Sequence, residues 1–289
     1  MTESDAIDAT VLSGRAMLAG VVGWPVSHSR SPRLHGFWLR HHRIDGAYLP
    51  LPVRPDSLAA ALRALPLLGF KGANVTVPHK EAALAIVDRA SAAARRIGAL
   101  NTIVVGADGT LEGQNTDGFG FRENLRAHQP DWTPTAGPAV LLGAGGAARA
   151  IAVALLEEGV SEIRLVNRTA DRAERLAREI NGPFQIHRWA DRGAALAEAG
   201  LLVNTTTLGM TGQPPLDLDL AALPTDAVVN DIVYAPLETP LLAAARARGN
   251  PVVDGVGMLL HQARPGFAAW YGVEPEVTPA LRAFVLRDL

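Results

Sequence analysis

Ala139-Val140-Leu141-Leu142-Gly143-Ala144-Gly145-Gly146-Ala147-Ala148-Arg149-Ala150 decides how this chain folds. A short apolar run stops at glycine and gives way to a helical pattern with Ile151, Ala152, Leu155 and Leu156 on one face. The succession is strand, tight turn, helix. The glycines permit the turn and let a pyrophosphate approach the N–H groups at the helix start. A second strand, Glu162 to Val166, ends in Asn167-Arg168-Thr169-Ala170-Asp171-Arg172. A βαβ unit that takes NAD carries an acid there, about 20 residues past the glycines, to accept the ribose hydroxyls. This chain has Asn167 and Arg168 instead, with Arg172 one turn on. Two guanidinium groups suit a 2′-phosphate, which they grip through charge-assisted hydrogen bonds. Arginines that merely cap a helix are the weaker reading, because a helix N-terminus disfavours cations. The stretch predicts an NADP(H)-binding unit.

Outward from it, apolar runs recur at Leu201 to Val203, Ala227 to Val229 and Pro251 to Val253. They end in Asn204-Thr205-Thr206-Thr207, in Asn230-Asp231-Ile232-Val233-Tyr234 and in Asp254-Gly255-Val256-Gly257. That pattern is expected when the carboxyl ends of parallel strands share one ligand crevice. Before the glycine turn, His128 to Pro138 has three prolines and no periodicity, and reads as the connection that leads to the dinucleotide unit.

The first third carries its own pattern. A strand Met17 to Gly23 precedes Ser27-His28-Ser29-Arg30-Ser31-Pro32, in which Ser31 reads as N-cap and Pro32 as first helical residue. Ser29 has no capping duty, and two hydroxyls near a helix start make a carboxylate site. Tyr48 to Val53 reads as a strand, and Pro55 to Leu65 as a helix. A strand with Ala73, Val75 and Val77 alternating ends at Pro78, and Lys80 opens a new helix. A cation there opposes the macrodipole, a placement against local interest that points to a proton-exchanging role. Asn101 reads as a turn residue and Asp117 as a helix cap, each taken singly. Two closing helices, Met258 to Trp270 and Thr278 to Leu286, have no strand left to cross to. They are predicted to fold back onto the first domain, with Gln262 reaching the cleft.

The 289 residues suffice for two cores. A net charge of −2 gives no electrostatic reason to expect nucleic acid or an anionic membrane as partner. No cysteine is present, which excludes thiolate catalysis and cysteine-bound metals, and the eight histidines show no metal spacing. No apolar run approaches the roughly 20 residues of a membrane span. Residues 1 to 16 read as a flexible lead-in without the apolar segment of a secretory signal. A cytoplasmic location, and a monomer or homodimer acting on a small molecule, are the expectation.

Taken together, Gly23-x-Pro25-Val26-x-His28-Ser29-x-Ser31-Pro32, Asn74-Val75-Thr76-Val77-Pro78-x-Lys80, Gly98-Ala99-x-Asn101-Thr102 and Asn115-Thr116-Asp117-Gly118 form one series. With Gly143 to Ala147, Asn167-Arg168-Thr169 and Asp254-Gly255-x-Gly257-Met258-Leu259-x-x-Gln262, the series resembles the shikimate dehydrogenase family, in its usual order. The resemblance implies reversible reduction of 3-dehydroshikimate to shikimate by NADPH. It assigns the substrate carboxylate to Ser29, Ser31 and Tyr234, and the ring oxygens to Thr76, Asn101, Asp117 and Gln262. Lys80 and Asp117 become the catalytic pair. Gly143, Ala144, Gly145, Gly146, Ala147, Asn167, Arg168, Thr169 and Arg172 would hold the nucleotide. Ile232, Gly255, Thr205 and Thr206 would lie by the nicotinamide.

The fold implied is α/β in two domains, an N-terminal α/β substrate domain and a Rossmann-like dinucleotide domain. The boundaries expected are 17–117 plus 256–289 for the first and 118–255 for the second. An NAD-dependent quinate/shikimate dehydrogenase, a catalytically silent dinucleotide-binding regulator and, more remotely, a folate-linked dehydrogenase are the alternatives.

Overall fold

The computed structural model describes residues 11–287, so most of the expected lead-in, residues 1–10, lies outside the described residues. The part that is described is fastened at Ser13, whose N–H and hydroxyl both bond the Asp45 carboxylate. The chain forms two compact units. The first takes the described residues up to Arg95, then Ala99–Thr116, then the chain from Ala263 onward; the second takes Arg96–Gly98 and Asp117–Gln262.

The first unit contains β1 (Met17–Gly23), α1 (Ser31–His41), β2 (Gly46–Pro52), α2 (Leu58–Ala64), β3 (Phe70–Val75) and α3 (Lys80–Leu84). Next come β4 (Arg89–Ala90), α4 (Ala92–Ile97), whose last two residues are in the second unit, β5 (Thr102–Val105) and β6 (Leu111–Gln114). The sheet order is β2-β1-β3-β5-β6-β4. Strands β1, β2 and β3 run parallel, and β5 is antiparallel to both β3 and β6. Leu62, Leu100, Ile103 and Leu111, all fully buried, fill the core.

The expected alternation along the third strand is corrected here. Gly72, Ala73, Asn74 and Val75 are buried in succession, while Val77 lies past the strand end and is 65% exposed. A strand covered on both faces has no solvent side, so its burial loses the period of two.

The second unit opens with α5 (Asp117–His128) and continues through β7 (Ala139–Leu142), α6 (Gly146–Glu158), β8 (Ile163–Asn167), α7 (Ala170–Ile180) and β9 (Phe184–Arg188). Its remaining elements are β10 (Leu201–Asn204), β11 (Val228–Asp231), α8 (Pro240–Ala247) and β12 (Val252–Val253). The order is β12-β11-β10-β7-β8-β9, with every pairing parallel. The sheet winds outward in both directions from β7, and β7 and β10 flank the switch point where ligands bind in such sheets. Strand β9, which the periodicity does not reveal, is a partly exposed edge. Among the described residues it pairs with β8 alone, which leaves polar Gln185 exposed to solvent.

Helix α9 (Gly255–Tyr271) begins three residues earlier than its apolar pattern indicates, and the division between the units falls inside it, after Gln262. Its carboxyl-terminal half and α10 (Pro279–Leu286) pack in the first unit. There the Trp270 indole N–H donates to the Ile103 carbonyl at 2.9 Å, and the Tyr271 hydroxyl donates to the Ala47 carbonyl at 3.0 Å. Among the described residues, no helix is long and apolar enough to cross a membrane.

Candidate functional site

In the first unit the strand registers gather the polar residues at one end of the sheet. Val22 of β1 lies opposite Val75 of β3, Asn74 opposite Thr102, and Thr102 opposite Gln114. The carboxyl ends of β1, β3 and β6 and the amino end of β5 therefore coincide. Ser29 and Ser31 follow β1, Thr76 and Lys80 follow β3, Asn101 precedes β5, and Thr116 follows β6.

Helix α1 begins at Ser31, with Arg30 as the flanking residue and no side-chain cap. The expectation that Ser31 caps the helix is thus corrected: its backbone is already helical, and Pro32 stands second. Ser29 has the local duty instead, its hydroxyl accepting the Ser31 N–H at 3.3 Å. Ser31 itself is buried.

Thr76 donates its N–H to the Val22 carbonyl at 2.9 Å, and His79 donates its own N–H to the Thr76 carbonyl at 2.9 Å. The buried His79 ring reaches the Val53 carbonyl through Nε2 at 2.7 Å, which anchors the turn that presents half-buried Lys80. Helix α3 has five residues, so the dipole opposing Lys80 comes from little more than one turn. Lys80 accepts the Leu100 N–H on its carbonyl at 3.0 Å, which ties it to the segment before Asn101.

Asn101 is a turn residue and more. Its Oδ1 accepts the Thr116 N–H at 2.9 Å, its Nδ2 donates to Thr116 Oγ1 at 2.9 Å, and its carbonyl accepts from the buried Asn74 amide at 3.1 Å. Asn74 Oδ1 in turn accepts the Tyr48 hydroxyl at 2.6 Å. Sequence reading omits Tyr48, Asn74 and His79 from the site. Asn74 opens the motif that ends at Lys80 and His79 is its variable position, which is the one signal that could have found them.

The second unit gathers its candidates the same way, since all six strands point one way. Gly143 to Ala147 follow β7, Asn167 to Arg172 close β8 and open α7, Thr205 and Thr206 follow β10, Ile232 and Tyr234 follow β11, and Gly255 follows β12. Gly143 has φ +109° and donates its N–H to the Val166 carbonyl at 2.8 Å. A side chain there would be strained and would run into Thr205 Oγ1. Thr205 closes the turn from the other side, its hydroxyl donating to the Leu142 carbonyl at 2.6 Å.

Gly145 precedes α6, no side chain caps the helix N–H groups, and a Cβ added at Gly145 would meet nothing within 4 Å. Those two observations fit a pyrophosphate cradle. Asn167 turns its amide to the Thr169 carbonyl at 2.8 Å, while Arg168, Thr169 and Arg172 are exposed at the start of α7. At Gly255 an added Cβ would collide with the Ile232 carbonyl oxygen, so the start of α9 lies directly against that backbone.

Asp117 is the first residue of α5 rather than its flanking cap, and it is buried. Gln262 is also buried, its Nε2 donating to the Leu259 carbonyl at 3.0 Å. Tyr234 and Ile232 are half-buried.

Buried behind these loops is a carboxylate that the site prediction omits. Asp231, the last residue of β11, is fully buried, and burial pushes its carboxyl up to about 6 against the hydrogen bonds from Thr239, Val233 and Asn204.

Residues 21–103 match the family model described as the shikimate dehydrogenase substrate binding domain, and residues 133–209 match that of shikimate / quinate 5-dehydrogenase. A shikimate dehydrogenase (NADP(+)) from Paramagnetospirillum magneticum is 66% identical, over 95% of this chain and 100% of its own. The Thermus thermophilus shikimate 5-dehydrogenase solved with NADP(H) and shikimate is 38% identical, with a TM-score of 0.83 over 94% of this chain and 100% of its own. A quinate dehydrogenase from Corynebacterium glutamicum in complex with NAD is 33% identical, with a TM-score of 0.86 over 94% of this chain and 99% of its own.

Proposed function

The chain belongs to the shikimate dehydrogenase family, and on that premise we propose that it is an NADP-dependent oxidoreductase interconverting 3-dehydroshikimate and shikimate. The observation that carries the reading is the gathering of Ser29, Ser31, Thr76, Lys80 and Asn101 at one end of the first sheet. A polyhydroxylated ring acid needs such a set, with hydroxyls for its carboxylate, polar groups for its ring oxygens and a cation for the reacting oxygen.

Ser29 and Ser31, with the Tyr234 hydroxyl, hold the carboxylate. Thr76, Asn101, Asp117 and Gln262 orient the ring. NADPH, when bound, supplies the hydride. Negative charge then grows on the carbonyl oxygen, and the Lys80 ammonium stabilises it and gives up a proton from Nζ. In the oxidative direction the Lys80 amine accepts that proton. Asp117 bonds a ring hydroxyl and serves as the anionic counterpart of the lysine.

The turn Gly143–Ala147 and the start of α6 take the pyrophosphate, and Arg168 with Arg172 takes the 2′-phosphate. Thr205, Thr206, Ile232 and Gly255 bound the nicotinamide, and Asn167 and Thr169 shape the adenosine end. The absence of an acid at Asn167 favours NADP over NAD, which matters because a quinate dehydrogenase solved with NAD shares the fold.

The test is a steady-state assay of the purified protein with shikimate and with quinate, each with NADP+ and NAD+, read at the nicotinamide absorbance band. Shikimate with NADP+ should give the highest kcat/KM. Turnover confined to quinate with NAD+, or none with any pair, overturns the reading.

A further inference from the structure

The Asp231 carboxylate has every one of its described contacts with neutral groups of its own unit. Oδ1 accepts from Asn204 Nδ2 at 3.0 Å and from the Val233 N–H at 3.0 Å, while Oδ2 accepts the Thr239 hydroxyl at 2.7 Å. Asn204 is fully buried and uses both ends of its amide. Nδ2 also donates to the Leu208 carbonyl at 3.2 Å, and Oδ1 accepts the Thr206 N–H at 3.1 Å and its hydroxyl at 2.7 Å. Thr206 Oγ1 then accepts the Leu208 N–H at 3.1 Å.

Two acceptors thus face the amide nitrogen and two donors face its oxygen, so only one orientation of Asn204 satisfies the set. A buried carboxylate is a costly way to fill this position. Leucine at 231 would leave Asn204 Nδ2, the Val233 N–H and the Thr239 hydroxyl without the acceptor they share.

We propose that Asp231 is a positioning residue for the cofactor loop. It fixes the orientation of Asn204, Asn204 shapes the Thr205–Leu208 turn, and the turn sets how tightly the nicotinamide end is held. Asp231 touches no ligand, being fully buried. The same carboxylate bends the chain at Val233 and holds Thr239, whose hydroxyl also caps α8 by accepting the Leu242 N–H. One group therefore ties the Thr205–Leu208 turn to the segment that carries Ile232 and Tyr234. The inference rests on the assignment of Thr205 and Thr206 to the cofactor.

The test is direct NADPH binding by fluorescence titration, with steady-state kinetics beside it, on the parent, Asp231→Ala, Asp231→Asn, Asn204→Ala and the Asp231→Ala/Asn204→Ala double variant. Asp231→Asn keeps an oxygen facing Asn204 and Val233, and its NADPH Kd should stay within about threefold of the parent. Asp231→Ala and Asn204→Ala should each raise that Kd about tenfold or more. Because the two share one relay, the double variant should fall well short of the product of the two single effects. A merely structural role predicts lower thermal stability in both single variants with an unchanged NADPH Kd, and that result overturns the proposal, as do effects that multiply in the double variant. If Asp231→Ala does not fold, Asn204→Ala against Asp231→Asn decides alone: an unchanged Kd in the first, or a large loss in the second, overturns it. A parent protein that fails to bind NADPH would instead remove the cofactor assignment itself.

Discussion

His35 lies flat against Tyr48, ring centroids 3.9 Å apart and planes 7° from parallel, in the wholly buried aromatic cluster of the first unit. Trp38, Phe267 and Trp270 complete its surroundings, so an imidazolium there would have no water to solvate it. Burial lowers the His35 value to about 3, against a smaller upward contribution from Asn74. The unfolded chain binds this proton near pH 6.5 and the folded chain only near 3. Stability from His35 is therefore complete above pH 6.5 and is lost as pH falls from there toward 3. At pH 5 the first unit should be weaker by about 2 kcal/mol than at pH 8 through this group alone. Hydrogen exchange at β3 amides, compared between the parent and His35→Phe, measures it; an equal acid response in both would exclude His35 as the cause.

Asp231 predicts the opposite response in the second unit. Its folded value is about 6 and its unfolded value 3.8, so deprotonation favours the unfolded chain. The stabilisation is complete below pH 3.8 and is lost as pH rises through 6. Between pH 8 and pH 5 the second unit should gain about 1 kcal/mol while the first weakens. Protection of β11 amides should rise on mild acidification, and Asp231→Asn should abolish the rise. A parallel fall at β3 and β11 would contradict it.

The glycine turn was legible because its strand is a short unbroken apolar run and its helix is apolar over most of its length. Burial takes in all of Ala148 to Leu155 rather than the single face expected, and leaves Leu156 of that face half-buried. Residues Ala139 to Leu142 are all fully buried, and Ala148 to Leu155 fill the adjoining helix. Local pattern and tertiary environment agree there. The Asn204–Asp231 bond was not legible. The two residues are 27 positions apart, and they become neighbours only through the parallel register of β10 and β11. In sequence each is one polar residue ending an apolar run, like its neighbours. Strand β9 was hidden for the converse reason: an edge needs no apolar run, so it has no pattern to read. Ser31 shows a third case, in which the Ser-Pro signal located the helix start and misplaced the cap by one residue.

Lys80 should be indispensable to turnover and secondary to binding. It is half-buried, at the end of the sheet where the substrate-binding candidates gather. General acid–base catalysis by a positioned side chain contributes about 100-fold to 10,000-fold. Lys80→Ala should lose kcat on that scale with the shikimate KM changed less than about threefold, as steady-state kinetics will show. Asp117→Asn should lower kcat as well, by about tenfold or more. Equal kcat for parent and Lys80→Ala would remove the lysine from the mechanism.

Arg168 should discriminate between the two nicotinamide cofactors. It is exposed at the end of β8, beside an asparagine whose amide is turned back to the Thr169 carbonyl. Position 167 is an asparagine, with no carboxylate to accept ribose hydroxyls, so under the proposed function the adenosine end is recognised through the 2′-phosphate. A hydrogen bond to a charged group is worth about 1.5–3 kcal/mol, which corresponds to roughly 10-fold to 100-fold in affinity. Arg168→Ala should raise the KM for NADPH by that factor and leave NADH within about threefold. Added salt should narrow the gap between parent and variant, since an exposed guanidinium–phosphate contact is screened. Equal losses with both cofactors would assign Arg168 to the fold of the turn, and the phosphate contact would then have to come from Arg172.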